Sequence, residues 1–212
     1  MTRPFIISGE LPGIPLRLGV VGGSFDPIHI GHLIMASAAR EALNLDLLLF
    51  VPTAIQPLKQ DRPASAPEHR VAMVELAIEE NPYFSLSRVD VDRPGPSYTV
   101  DTLSLLRQEY PQAAFWFILG ADALHSFPRW RDPEGILAQA RLAIVRRPGV
   151  AVDVTALSQS LPQLQDAIDW VDAPLIDISS TDLRRRAAEG LSLKYRVSDP
   201  VHEYIDANKL YT

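Results

Sequence analysis

Gly22 and Gly23 lead into Ser24-Phe25-Asp26-Pro27-Ile28-His29-Ile30-Gly31-His32-Leu33, a run whose residue types and spacing could bind and transfer phosphate. Adjacent glycines let the backbone pass close to a ligand where a Cβ would collide, and leave amide N–H groups to face anionic oxygens. His29 and His32 are three apart. On a helix beginning near Ile30 both rings lie over its first turn, where the backbone dipole favours negative charge. The apolar run Leu18-Gly19-Val20-Val21 before the glycines reads as a strand, and Ile34 to Ala42 after them reads as a helix. Strand-end glycines, a helix N-terminus and two imidazoles together make a phosphate site.

A second grouping stands about 150 positions further on, in Ile178-Ser179-Ser180-Thr181-Asp182-Leu183-Arg184. Ser179, Ser180 and Thr181 are all competent helix caps, and whichever one caps, the others present hydroxyls beside unpaired N–H groups. Arg184 reaches over the same turn with a planar fork suited to phosphate oxygens. Alone, this segment also reads as an ordinary capped helix. With the glycine and histidine run, two helix starts aimed at one polyphosphate become the better account. Successive helical side chains point about 100° apart, so Arg185 and Arg186 should face elsewhere and stay solvated.

These groups need a scaffold. Strands are expected at 18–22, 46–51, 84–90, 114–119, 141–146 and near 169–178, alternating with helices at 30–43, 67–80, 97–109 and a helical pair across 121–140. A short helix is expected to open at Ser158 to Pro162, with further helix after Thr181. Pro67 suits a first helical position, Asn44 and Asn81 suit stops, and Gly120-Ala121-Asp122 begins a helix straight after a buried strand. The strands Asp46 to Val51 and Ala114 to Leu119 are nearly continuous apolar runs, which marks a parallel sheet covered on both faces. The expected fold is α/β, a Rossmann-like doubly wound parallel sheet with a small C-terminal helical annex. Ligands then bind beyond the carboxyl ends of the strands, and the Gly22-Gly23 turn falls at one of them.

The chain of 212 residues, 47% hydrophobic, can bury one sizeable core. A single domain over 17–212 is expected, preceded by a proline-punctuated arm at 1–16. There is no cysteine, so disulfides and thiolate metal sites are excluded. Neither a signal peptide nor a membrane span is expected, since no stretch has the necessary uninterrupted apolar length, and a soluble cytoplasmic protein follows. A net charge of −6 argues against a nucleic-acid surface. No cluster of carboxylates at ligand spacing stands out, so no protein metal cage is expected.

The histidine run resembles the signature of the nucleotidyltransferase superfamily with a (H/T)-x-G-H motif, and Gly22 to His32 looks like its bacterial nicotinate-nucleotide adenylyltransferase branch. Ile178-Ser179-Ser180-Thr181-x-x-Arg184 matches that family's triphosphate motif in full. Further similar blocks are Arg70 to Ala77, Pro96-Ser97-Tyr98-Thr99 to Leu103, Ile118 to Leu124 with Trp130, Arg147-Pro148-Gly149, and Tyr204-Ile205 with Leu210-Tyr211. One block departs, because Gln56-Pro57-Leu58-Lys59 has Leu58 where the family carries a histidine.

The resemblance implies transfer of AMP from ATP to the 5′-phosphate of nicotinate mononucleotide, giving deamido-NAD and pyrophosphate. His29, His32 and Arg184 would be catalytic, and Gly22, Gly23, Ser24, Phe25, Ile178, Ser179, Ser180 and Thr181 would join them around ATP. Lys59, Thr99, Asp122 and Trp130 would meet the acceptor, and Mg²⁺ would ride on the ATP phosphates. The alternatives are a sister nucleotidyltransferase acting on nicotinamide mononucleotide or phosphopantetheine, and a nucleotide-binding regulator without turnover. Acid or amide preference and a homo-oligomer are left open.

Overall fold

A computed structural model describes residues 15–55, 65–146, 152–174 and 176–212. Lys59, Leu58, the block Arg147-Pro148-Gly149 and residues 1–14 of the expected arm lie outside them. The strands are β1 (Arg17–Gly23), β2 (Leu47–Pro52), β3 (Phe84–Leu86), β4 (Ala114–Gly120), β5 (Arg141–Val145) and β6 (Ile168–Val171). The helices are α1 (Ile30–Leu43), α2 (Pro67–Ile78), α3 (Thr99–Glu109), α4 (Ala121–Leu124), α5 (Pro133–Gln139), α6 (Val154–Ser158), α7 (Leu164–Ala167), α8 (Ser180–Ala188) and α9 (Asp199–Ala207). A 3-10 turn spans Phe127–Arg129.

The strands form one sheet in the order β3-β2-β1-β4-β5-β6, and every pairing is parallel. Side chains alternate between the faces along each strand, so each strand feeds two cores. Val21, Leu48, Phe50, Trp116, Ile118 and Val145 pack with Ala36 and Ala39 of α1, Met73 and Val74 of α2, and Val201 and Ile205 of α9. Leu18, Val20, Leu49, Phe115, Phe117 and Ile144 pack on the other face with Val100, Leu103 and Leu106 of α3 and Ile136 of α5. That two-sided burial is why β2 and β4 read as unbroken apolar runs. The result is the expected Rossmann-like, doubly wound parallel sheet, with α8 and α9 as the C-terminal helices.

The strand order reverses between β1 and β4, which makes the crevice at their carboxyl ends the topological switch point. Val20 pairs with Phe117, and each strand runs three residues further, to Gly23 and Gly120. Both glycine-ended loops therefore open onto the same crevice.

Three expected elements differ. The strand expected at 84–90 ends at Leu86. Beyond it the Asp90 carboxylate is buried and accepts hydrogen bonds from Thr102 Oγ1 at 2.8 Å and Arg93 Nη2 at 3.0 Å, and these partners fold residues 88–97 into turns. The strand expected near 169–178 ends at Val171, shortly before Pro174, which has no N–H for a ladder. The short helix expected from Ser158 is replaced by α6 and α7 on either side of Leu161-Pro162. Asn44 ends α1 in a left-handed conformation with φ 48°, as expected, whereas α2 stops at Ile78, before Asn81.

The sheet edges are short. β3 has three residues and β6 four, and beside β6 Arg141 grips Asp169 with Nε–Oδ2 of 2.6 Å.

Candidate active site

The loop from Gly23 to His29 leaves β1 at the switch point and enters α1. A Cβ on Gly23 would lie 3.2 Å from the Phe25 ring, and one on Gly31 would lie 3.1 Å from Nδ1 of His29, so a side chain at either position would push its neighbour by a few tenths of an ångström. Phe25 turns the loop with φ 48° and buries its ring against Phe50 and, in a T-shaped contact, His32. Gly22 is exposed, and Gly23 and Ser24 are partly so.

His29 caps α1 and is buried; its ring stacks on that of His32 with centroids 3.7 Å apart and planes 22° apart. The His29 N–H donates to Nδ1 of His32 at 3.2 Å, which leaves His32 to carry its hydrogen on Nε2. Burial, and after it the neighbouring His29, hold the His32 imidazole well below the usual histidine range. His32 is thus a neutral, oriented N–H donor near neutral pH.

The amides expected to face an anion are partly engaged within the protein. Ile30 N–H donates to the Arg196 carbonyl at 2.9 Å and His32 N–H to the His29 carbonyl at 2.9 Å.

The second grouping meets the first. Ser179 caps α8 by accepting from the Asp182 amide at 3.2 Å. Ser180 Oγ donates to the Pro27 carbonyl at 3.0 Å, across 153 positions of sequence, and Arg184 Nη1 donates to the Asp26 carbonyl at 2.7 Å, across 158. Arg184 Nη2 makes a long 3.4 Å bond to Thr181 Oγ1. The hydrogen of Ser180 expected beside a ligand is therefore spent on joining α8 to the loop. Ile178 is partly buried against the core under α8. Arg185 is exposed but paired, with Asp182 and Glu189 each at 2.6 Å, and Arg186 donates to the Ser192 carbonyl.

Beneath the loop lies Arg70, which is 1% exposed. Its guanidinium donates to the carbonyls of Ser24 at 2.8 Å, Thr53 at 2.7 Å, Ala54 at 3.3 Å and Ser65 at 3.0 Å. It ties the loops after β1 and β2 to the start of α2. Sequence reasoning saw Arg70 only as part of a similar block. No spacing rule could mark it, because its partners are backbone oxygens supplied by the fold.

Thr99 begins α3, and Asp122 is an exposed residue of α4, straight after β4. The turn before Thr99 is held by Ser97, whose Oγ accepts from the Ala54 amide at 2.9 Å and whose own amide donates to the Ile55 carbonyl at 2.9 Å. Trp130 is half-buried, tilted on Phe127 at 5.4 Å and edge-on to Phe117 at 6.0 Å, with Nε1 donating to Ser126 Oγ at 3.1 Å. Phe117 is also the ring a Cβ on Gly22 would touch, at 3.5 Å. Arg131 lies over the Tyr98 ring at 4.5 Å, which joins the Trp130 segment to the turn carrying Thr99. Among the described residues no group of three His, Asp or Glu could hold a metal ion, and no helix is long and apolar enough to cross a membrane.

The profile of the cytidylyltransferase-like family matches residues 20–186. A protein of Roseiflexus sp. strain RS-1 named probable nicotinate-nucleotide adenylyltransferase is 47% identical over 92% of this chain and 97% of its own length. One of that name from Thermomicrobium roseum is 47% identical over 92% of this chain and 91% of its own. In three dimensions, the Plasmodium falciparum nicotinic acid mononucleotide adenylyltransferase complexed with NaAD superimposes with a TM-score of 0.74, covering 92% of this chain and 97% of that one. That protein is 20% identical, and the likeness speaks to the fold. The family profile and these sequence relatives show that this chain belongs to the nicotinate-nucleotide adenylyltransferase branch of the cytidylyltransferase-like family.

Proposed function

We propose that the protein transfers AMP from ATP to nicotinate mononucleotide, forming deamido-NAD and pyrophosphate. The observation that carries this reading is the junction of α8 with the histidine loop through Arg184 and Ser180, which ties the guanidinium to the loop that leads into His29 and His32, where we place the polyphosphate. The choice of acceptor rests on the names of relatives 47% identical over nearly the whole chain. The same reading takes 17–212 as a single nucleotidyltransferase domain with 1–16 as an arm, and places it in the cytoplasm, in keeping with the lack of cysteine and of a spanning helix among the described residues. A homo-oligomer is compatible with it.

The attacking atom is an oxygen of the mononucleotide's 5′-phosphate, already ionised at neutral pH. It forms a bond to the α-phosphorus of ATP as the bond from that phosphorus to the pyrophosphate oxygen breaks, so no strong base is needed. The barrier is repulsion between anions and charge gathering on the leaving pyrophosphate. His32 offers its Nε2 hydrogen, Arg184 offers the guanidinium nitrogens not spent on Asp26, and both are held by other contacts before any ligand arrives. His29 fixes the His32 ring. Gly22, Gly23, Ser24 and Phe25 shape the floor of the site, and Ile178, Ser179 and Thr181 frame its α8 side. A Mg²⁺ ion carried on the ATP phosphates would further neutralise them. Thr99, Asp122, Trp130 and Lys59 are the residues we assign to the acceptor side.

With ATP, Mg²⁺ and nicotinate mononucleotide, the purified protein should release pyrophosphate and form deamido-NAD. Nicotinamide mononucleotide and phosphopantetheine run in parallel decide the acceptor. ATP binding without product from any of them would favour a regulator.

Trp130→Ala should raise KM for the mononucleotide about tenfold, the scale of one lost aromatic stack, with kcat and the KM for ATP little changed. Trp130→Phe should keep most of the affinity. An unchanged acceptor KM in the alanine variant would leave Trp130 as packing against Phe117 and Phe127.

A further inference from the structure

Asp26 poses an electrostatic problem that the phosphate-site reading does not by itself resolve, and the inference below rests on that reading. The residue is 3% exposed within the loop, and its Oδ2 lies 3.9 Å from Arg184 Nη1. A carboxylate so placed would draw the guanidinium into a two-pronged pair, consuming donors meant for a ligand. It would also repel a polyphosphate.

The structure shows what restrains it. Tyr211 donates its phenol hydrogen to Asp26 Oδ1 at 2.7 Å, and the Ser65 amide donates to Oδ2 at 3.2 Å. Both oxygens are engaged, and Arg184 meets this residue chiefly at its backbone carbonyl. Arg70, also close by, has its nitrogens committed to four carbonyls. Tyr211 arrives from beyond α9, 185 positions along the chain, through left-handed residues at Lys209 (φ 50°) and at Tyr211 itself (φ 69°). Burial, and after it the bond to Asp26, push the phenol's ionisation well above the usual tyrosine value, so it stays a neutral donor.

We propose that Tyr211 is a positioning residue for polyphosphate binding: by holding Asp26 Oδ1 it fixes the carboxylate so that Oδ2 stays 3.9 Å from Arg184 Nη1 instead of closing into a hydrogen-bonded pair, and the remaining nitrogens of Arg184 stay available to the nucleotide. Tyr211→Phe removes the hydroxyl and keeps the ring.

In the full chain this variant should bind a non-hydrolysable ATP analogue about tenfold more weakly by calorimetry, the scale of one hydrogen bond to a charged group. KM for ATP should rise in step while KM for the mononucleotide is unchanged. In an Asp26→Asn background, where the charge to be restrained is gone, Tyr211→Phe should cost no ATP affinity. Unchanged analogue affinity in the single variant overturns the proposal. So does a loss of both substrates' affinities together with thermal stability, which would make the tyrosine merely structural. So does an equal cost in the Asp26→Asn background. A wild-type protein that binds the analogue and makes no dinucleotide would defeat the enzymatic reading while the binding comparison still decides this one. A wild-type protein that fails to bind it would overturn both.

Discussion

His32→Ala should lower kcat by about 10²–10³-fold while KM for ATP moves far less, the scale of losing one preorganised donor to a developing charge. The residue is suited to that role because its ring is prevented from turning. Its Nδ1 is held by the His29 amide and its ring is stacked on His29 and T-shaped to Phe25, so Nε2 meets the transition state without reorganising. Steady-state kinetics with both substrates checks this, and turnover within about tenfold of wild type would remove the role.

The same geometry sets the pH behaviour. The ordinary histidine value is 6.5, and the folded His32 titrates well below it, with His29 as the ionisable neighbour. The unfolded chain therefore takes up this proton first. The His32 contribution makes stability rise with pH through the interval below 6.5 and reach its full value above it. Protonation in the folded state would put a second hydrogen on Nδ1, facing the His29 amide. The acid limb of the kcat/KM profile, which reports the free protein, should accordingly lie below the ordinary histidine value.

Arg70→Met should cost about 3–5 kcal/mol of stability, a large share of the roughly 5–15 kcal/mol typical of a folded domain. Methionine fills much of the volume but leaves the carbonyls of Ser24, Thr53, Ala54 and Ser65 without their donor, and a buried orphaned acceptor costs about 1–3 kcal/mol. Arg70→Lys should recover only part, because one ammonium cannot span three segments as a planar fork does. Urea denaturation checks both. A variant as stable as wild type would mean that water satisfies those oxygens.

What the sequence made readable divides by the range of the forces involved. Helix α1 begins at Ile30 and ends at Leu43, as the pattern of residues predicts, because caps and periodicity act within a turn or two. The double-sided burial of β2 and β4 was equally plain. Asp90 was misread as part of a strand because alternating Val and Asp mimic one, and only Thr102, brought by α3, reveals a buried carboxylate. At the site, the meeting of Arg184 with the histidine loop was expected from chemical complementarity, and the structure brings them together. Tyr211, Asp26 and Arg70 carried no such signal, since each is defined by partners far away in sequence or by bare backbone oxygens.

The outermost strands carry a consequence for how copies of this chain meet. With three residues on one margin and four on the other, neither offers a template long enough for strand-by-strand addition. The second margin is further guarded by Arg146, which lies over the Trp170 ring at 4.8 Å and reaches Asp172 at 3.0 Å. Concentrated solutions should therefore resist edge-to-edge aggregation through these two strands.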